Sequence, residues 1–423
     1  MKRRLLSLST AVLLAFAVFA GVVPGMAEPI GDEPITLRLL WHGGLNQTNV
    51  LRKIVEEEFL AKYPNITLEY TETPSTELPT KAMMEVIGGG GTYDLVMQSK
   101  YIPALASAGG LEPLDAYIER DNFFIDKLID TGLRWQGQYY GLPLRADVRV
   151  LHYNQNYFTE AGLDPEKPPT TLEEIHEYAR LLTRDGHFGI NRQPNNPEAF
   201  IALVYAFGGE LLDENNEPVV NSEAGVKALN YILEEYKEGL IDPLSTSWQY
   251  SDEVASYLSG AAAIYNGWPA RYIDAKMPEK SKIVGDSRVA AVPGERVYAE
   301  GWNLLMFKTS ENKEAAWEYM KFVMDPEIQK KTILNGGDCN PTHLDVLNDP
   351  ELQREYEVLQ AVSGSFDRIK PLPQTTQTAS IISQIMDSLS KAVLEGDAVN
   401  PQAILDELAA NIRQVLVESG ELS

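Results

Sequence analysis

Trp41, Trp268 and Trp302 stand among amides, carboxylates and glycines rather than inside apolar runs. That mixture suits a sugar, whose apolar ring faces stack on indole while its hydroxyls need fixed donors and acceptors. Each stacking contact adds about 0.5–1.5 kcal/mol beyond its area, so a few of them with several hydrogen bonds reach micromolar affinity. Trp268 lies in the turn Asn266-Gly267-Trp268-Pro269, and Trp302 follows Gly301. Trp41 closes the first expected strand, where a ligand and the interior of the fold have equal claims on its ring. The polar candidates follow strand ends: His42, Asn46 and Gln47 after one, Gln98, Lys100 and Tyr101 after another. The alternative for each is a solvated loop side chain. Asn195, Asn196 and Glu198 precede a helix, with Asn191 as an alternative cap for that loop. Arg145 and Asp147 either touch a ligand or pair with each other, or Asp147 with Arg149, to steady the chain. Arg145, Arg271 and Lys100 would also suit an acidic ligand such as a uronate or a sugar phosphate.

Catalytic patterns are absent from the sequence. The run 88–91 is four glycines but lacks the Lys-Ser/Thr that completes a phosphate-binding loop. The five histidines, His42, His152, His176, His187 and His343, form no H-x-x-x-H pair and no HExxH, which argues against zinc. There is no G-x-S-x-G elbow. Carboxylates are so frequent that a glycosidase pair cannot be picked out by spacing. No catalytic residue, cofactor or metal is expected.

The 423 residues suffice for two domains with full cores, and 44% hydrophobic with 23% charged residues is ordinary for a globular chain. Lys2, Arg3 and Arg4 precede an apolar run over 11–23, and Gly25 and Ala27 flank an A-x-A-like cleavage point, so residues 1–27 read as a secretory signal peptide rather than a membrane anchor. The single cysteine, Cys339, is not at that point, so a lipid anchor is not expected and the product is expected free in a periplasm. It also leaves no disulfide framework. The formal charge of −25 becomes −28 without the three basic residues of the leader, which disfavours nucleic acid and anionic membrane as partners. A monomer with no membrane insertion after cleavage is expected.

Apolar periodicity predicts strands over 35–40, 66–70 and 94–97 alternating with helices over 51–59 and 78–87, a βαβαβ unit and hence a parallel sheet. In such sheets ligands sit off the carboxyl ends of the strands. The stretch 139–182 then passes Pro143, enters an alternating strand over 148–153, and continues through Gly162 and Pro168-Pro169 to a helix opened by the capping box Thr171/Glu174. One segment leaves one domain and founds another. Further helices are predicted over 172–182, 199–207, 222–238, 252–258, 313–324, 326–334, 351–362, 378–394 and 401–417, with strands over 188–191, 261–265 and 288–292.

The residues His152-Tyr153-Asn154, Phe158, Ala161-Gly162, Pro169 and Thr170-Thr171 resemble a segment of bacterial extracellular solute-binding proteins of the maltodextrin-binding type. So do Tyr93-Asp94-Leu95-Val96 with Gly109-Gly110 and Leu114-Asp115, and Ala299-Glu300-Gly301-Trp302. The resemblance covers nearly the whole chain after the leader. It implies an α/β, type II, two-lobed periplasmic binding protein fold, each lobe a mostly parallel sheet flanked by helices. The lobes would be 28–145 plus 303–340 and 146–302 plus 341–423. It implies an importer of the ABC class in which hinge closure captures a carbohydrate and a membrane permease receives it; another polar solute, namely a sugar acid, a glycerophosphodiester or a polyamine, and a secreted glycan hydrolase are the alternatives. It places Asp147 on sugar hydroxyls, Asn196 and Glu198 in a contact loop, Trp302 at the hinge, and Gln374 at the start of the last cleft-facing helix. Leu172 stands where many relatives carry Trp, and Thr378-Ala379-Ser380 where maltodextrin binders carry aromatics, which points to a shorter or more polar sugar.

Overall fold

The computed structural model describes residues 30–43, 48–184 and 186–423, with Asp397 by its backbone alone. The leader therefore lies outside the described residues, as do Asn46 and Gln47.

Two sheets organise the chain. The first contains β1 (Ile35–His42), β2 (Ile66–Thr73) and β3 (Leu95–Gln98), whose order β2-β1-β3 is parallel throughout, as the βαβαβ pattern requires. Period-two alternation divides these strands between two faces. Leu37, Leu39, Trp41, Leu95 and Met97 pack into one apolar cluster with Trp317 and Met320, while Leu40 and Val96 pack into another with Leu78 and Ile102. The first helix of this lobe, Thr48–Ile54, continues through the π-turn Val55–Phe59 into Leu60–Lys62. A short hairpin, β4 (Arg134–Trp135) and β5 (Gln138–Tyr139), turns at Gln136 and Gly137, both with positive φ. That left-handed pair is what a two-residue hairpin loop needs.

The next strand, β6 (Gly141–Val148), starts before Pro143 and runs through it. Proline is tolerated because β6 pairs on one side only, so no ladder donor is missed. Only Arg149 separates β6 from β7 (Val150–Asn154), which belongs to the second sheet. That sheet adds β8 (Phe188–Asn191), β9 (Ala262–Gly267) and β10 (Ser287–Ala291) in the order β10-β7-β9-β8. It is mixed rather than mostly parallel: β7 is antiparallel to both β10 and β9, and only β8 and β9 are parallel. The reason is that β7 enters from the other lobe rather than from a crossover helix, so nothing forces its direction to match. Its core includes Val150, Leu151, Phe158, Phe200, Ile232 and Ile264.

The return path is β11 (Val297–Met306), one continuous strand antiparallel to β6 and β3 and parallel to the short β12 (Ile369–Lys370). Its register against β6 shifts between Trp302 and Asn303: Trp302 faces Arg145 and Asn303 faces Pro143, which leaves Leu144 without a counterpart. Such a bulge bends and twists the ribbon locally. A third passage is tied in by Ala146 N–H donating to Asn340 O at 3.3 Å and Ile129 N–H to Thr342 O at 2.9 Å. The helix predicted over 351–362 is two helices, Pro350–Glu355 and Glu357–Ser363, broken at the extended Tyr356.

Candidate functional site

A cleft of about 1000 Å³ opens between the lobes. Its floor is one face of the β6–β11 ribbon. Arg145 and Asp147 lie two apart on β6, and Glu300 and Trp302 lie two apart on β11, so each pair faces the same side. The register sets Asp147 opposite Glu300 and Arg145 opposite Trp302. All four line the cleft. His42 at the end of β1 joins them, its ring edge-on to Trp302 at 4.5 Å between centroids. Burial, helped by the charge of Arg145, lowers the His42 pKa to about 4, so the ring is neutral near pH 7.

Arg145 and Asp147 also belong to a buried ionic cluster at the floor. Arg145 donates to Asp147 at 3.3 Å and pairs with Asp338, and Asn340 donates to Asp147. Two passages of the chain, β6 and the segment carrying Asp338 and Asn340, are therefore joined by one guanidinium and one amide. Burial raises the Asp147 pKa to about 6 against the pull of Arg145, and burial likewise raises that of Asp338.

A second cluster crosses the cleft. Lys100, just beyond β3 of the first lobe, donates to Glu198 at 2.8 Å and to Glu300 at 2.9 Å. Glu198 opens the helix Pro197–Ala206, whose residues from Ala199 onward are buried in the second lobe. Arg149 also donates to Glu198, at 3.2 Å, and Tyr298 O–H donates to Glu300 at 2.8 Å. Burial works against the charge on Lys100, but the two carboxylates outweigh it and raise its pKa above the usual lysine range. Burial likewise opposes ionisation of Glu198, and Lys100 and Arg149 overcome it to lower its pKa.

The Arg149 guanidinium lies 4.3 Å from the centre of the Trp268 ring, and Tyr298 lies 5.7 Å from it on a tilted contact. Trp268 is thereby held half-buried at the wall of the cleft. Gly267 before it has no room for a side chain, since a Cβ would strike the Tyr265 ring. Arg271 pairs with Asp274 at 2.8 Å. The lining cations Lys100, Arg145 and Arg271 thus each have a carboxylate partner.

Of the residues singled out in the sequence, the cleft brings together His42, Lys100, Tyr101, Arg145, Asp147, Asn196, Glu198, Trp268, Arg271 and Trp302. Three do not belong to it. Trp41 is 0% exposed, packed edge-on against Tyr70 at 5.4 Å, because it shares the face of β1 that Leu37 and Leu39 pack against Trp317 and Met320. Gln98 is 1% exposed and accepts the N–H of Ser99, which itself reaches the cleft. Gln374 folds back to donate to Leu372 O at 3.2 Å and lies against Gly132. Asn196 lines the cleft but its side-chain oxygen caps the helix, accepting from Glu198 N–H at 2.8 Å and Ala199 N–H at 3.3 Å.

The cleft also includes Gln193, Trp248, Tyr250 and Glu300, none of which the sequence reading selected. Glu300 was within reach, being two residues from Trp302 on one strand. The ring of Tyr250 is largely exposed, yet burial of its hydroxyl, against the nearby Arg271, raises its pKa to about 12. Among the described residues no cluster of three or more His, Cys, Asp or Glu could hold a metal ion. None of their helices is long and apolar enough to cross a membrane.

Known proteins resemble this chain over most of its length. It is 24% identical over 379 residues to a probable amino-acid ABC transporter periplasmic-binding protein of Sinorhizobium fredii, covering 84% of each chain. It is 24% identical to a maltotriose-binding protein of Pyrococcus abyssi, covering 88% of this chain and 81% of that one. The maltose-bound T. maritima MalE3 structure superposes with a TM-score of 0.79 at 24% identity, covering 90% of this chain and 100% of that one. The family model for bacterial extracellular solute-binding proteins matches residues 44–330, more than half of the sequence, and the chain belongs to that family.

Proposed function

We propose that this protein is the periplasmic substrate-binding component of an ABC importer, capturing a di- or oligosaccharide between its lobes and passing it unchanged to a membrane permease. The observation that carries this reading is the inter-lobe cleft itself, with Trp268 and Trp302 set among hydrogen-bonding groups fixed by their own partners. Indole faces supply stacking for sugar rings, and pre-oriented carboxylates and amides supply acceptors and donors for hydroxyls. Ligand contact by Asp147, Glu198, Tyr101 and the two tryptophans is part of the proposal. The lobes are taken as 28–145 plus 303–340 and 146–302 plus 341–423, and the β6–β11 ribbon as the hinge about which they rotate. Residues 1–27 act as a cleaved leader in this reading, and the mature protein works as a monomer.

The name of the S. fredii relative and that of the P. abyssi relative point to different solutes, an amino acid and maltotriose. The paired state of Lys100, Arg145 and Arg271 favours the sugar, because an amino acid needs an uncommitted cation for its carboxylate. Incubating the purified protein with maltotriose and D-mannitol tests the reading. A stoichiometric thermal shift without product supports it, and turnover to a shorter sugar makes the protein a hydrolase instead. Native mass spectrometry of the protein as purified identifies any retained solute.

A further inference from the structure

We propose that Lys100 is an inter-lobe latch that holds the cleft partly closed before a solute enters and makes it selective for uncharged ones. The proposal rests on the substrate-binding reading for its second clause only.

The argument starts from where the partners sit. Lys100 follows a strand of the first sheet, Glu198 heads a helix buried in the second lobe, and Glu300 lies on the strand that passes between them. A single ammonium therefore spans all three parts that hinge rotation moves. Its two contacts are charge-assisted and short, 2.8 and 2.9 Å, and Lys100 and Glu300 keep side-chain exposures of only 14% and 12%. An ion pair shielded to that degree is screened less by salt than a surface pair. Opening the lobes pulls Glu198 from Lys100 but leaves Glu198 with Arg149 and Glu300 with Tyr298, so neither carboxylate is stranded. The latch thus has two workable states.

Charge follows from the same arrangement. Lys100 and Arg149 balance Glu198 and Glu300, so the cluster carries no net charge to attract an ion. An anionic solute meets the two carboxylates, and a cationic one must displace an ammonium already in place. An uncharged polyol can instead accept from Lys100 and donate to the carboxylates without disturbing the balance. Because apparent affinity scales with the fraction of protein in the binding-competent arrangement, loss of the latch also weakens binding.

The test compares wild type, K100M, E198Q and K100R by small-angle X-ray scattering without added solute. K100M and E198Q are expected to show a larger radius of gyration than wild type and K100R to match it. An unchanged radius in both K100M and E198Q overturns the latch. A thermal-shift panel of maltotriose, D-mannitol, D-glucuronate and spermidine reads the selectivity. Wild type is expected to respond to neutral probes only, and K100M to bind those about tenfold more weakly. A wild-type response to D-glucuronate or spermidine equal to that of the neutral probes overturns the charge argument. If no probe binds wild type while K100M and E198Q still expand, the carbohydrate reading fails and the latch stands.

Discussion

The two ionic clusters of the cleft both pair cations with carboxylates, but in different surroundings. Around Arg145 the cluster joins two passages of the chain, Asp147 on the same strand and Asp338 with Asn340 on the third passage, and its side chains are almost wholly buried. Around Lys100 the partners sit on opposite sides of the cleft, Glu198 is a quarter exposed, and each carboxylate keeps a second donor. A deeply buried cluster resists change, because removing one member leaves a charge poorly compensated away from water. A wetter cluster with spare partners can come apart at low cost. Under the proposed hinge motion the first is suited to the pivot, and the second to setting how far the lobes part.

That contrast can be broken by mutation. The largest effect is expected from R145M, which leaves Asp147 and Asp338 buried together without the cation that pairs with them; urea denaturation should lose about 3–5 kcal/mol. A loss near zero would mean the cluster is hydrated and no different from that of Lys100. Next comes G301A, where the new Cβ would strike Thr131 beside the bulge; overpacking there should cost about 1–3 kcal/mol in the same assay.

The pH dependence sharpens the comparison further. The Asp147 pKa is raised to about 6 in the folded protein against 3.8 for an unperturbed aspartate, so between those values the folded state binds more protons than the unfolded one. Its contribution to stability is therefore full below the lower value and is lost as pH rises to the upper one. D147N should flatten that fall in urea midpoints collected from pH 4 to pH 6.5, and an unchanged slope would place the titration elsewhere. The smallest change is expected for K100M, about 1 kcal/mol or less in global stability, since Glu198 and Glu300 retain Arg149 and Tyr298.

How much of this was legible beforehand depended on the range of the interactions. The β1–β2–β3 unit was readable because alternation and helical periodicity are local, and the same alternation puts His42 in the cleft and Trp41 inside. Counting by twos from Trp302 would have added Glu300. Gln98 missed by one residue, since Ser99 beyond the strand end turns outward to the cleft. The Arg145–Asp147 pair was one of the alternatives the sequence offered, but Asp338 and Asn340 were not readable as its partners, because Asn340 and Asp147 are 193 residues apart and only folding brings them together. Nor was the mixed second sheet, since the direction of β7 follows from the path by which the chain arrives, which no window of sequence records. The resemblance places aromatics in the last cleft-facing helix of maltodextrin binders, where this chain has Thr378-Ala379-Ser380; that helix, Thr378–Glu395, brings Ile382 and Met386 to the cleft.

Cys339, the single thiol of the chain, is buried beside Asp338 at the hinge, and burial with that neighbouring carboxylate pushes its pKa up to about 12. A thiol so seldom ionised and so poorly reached by reagents is a weak nucleophile. Pairs of cysteines engineered on the outer surfaces of the lobes can therefore take up maleimide dyes while the native one stays silent, and fluorescence energy transfer can follow the distance between lobes in an otherwise unaltered protein.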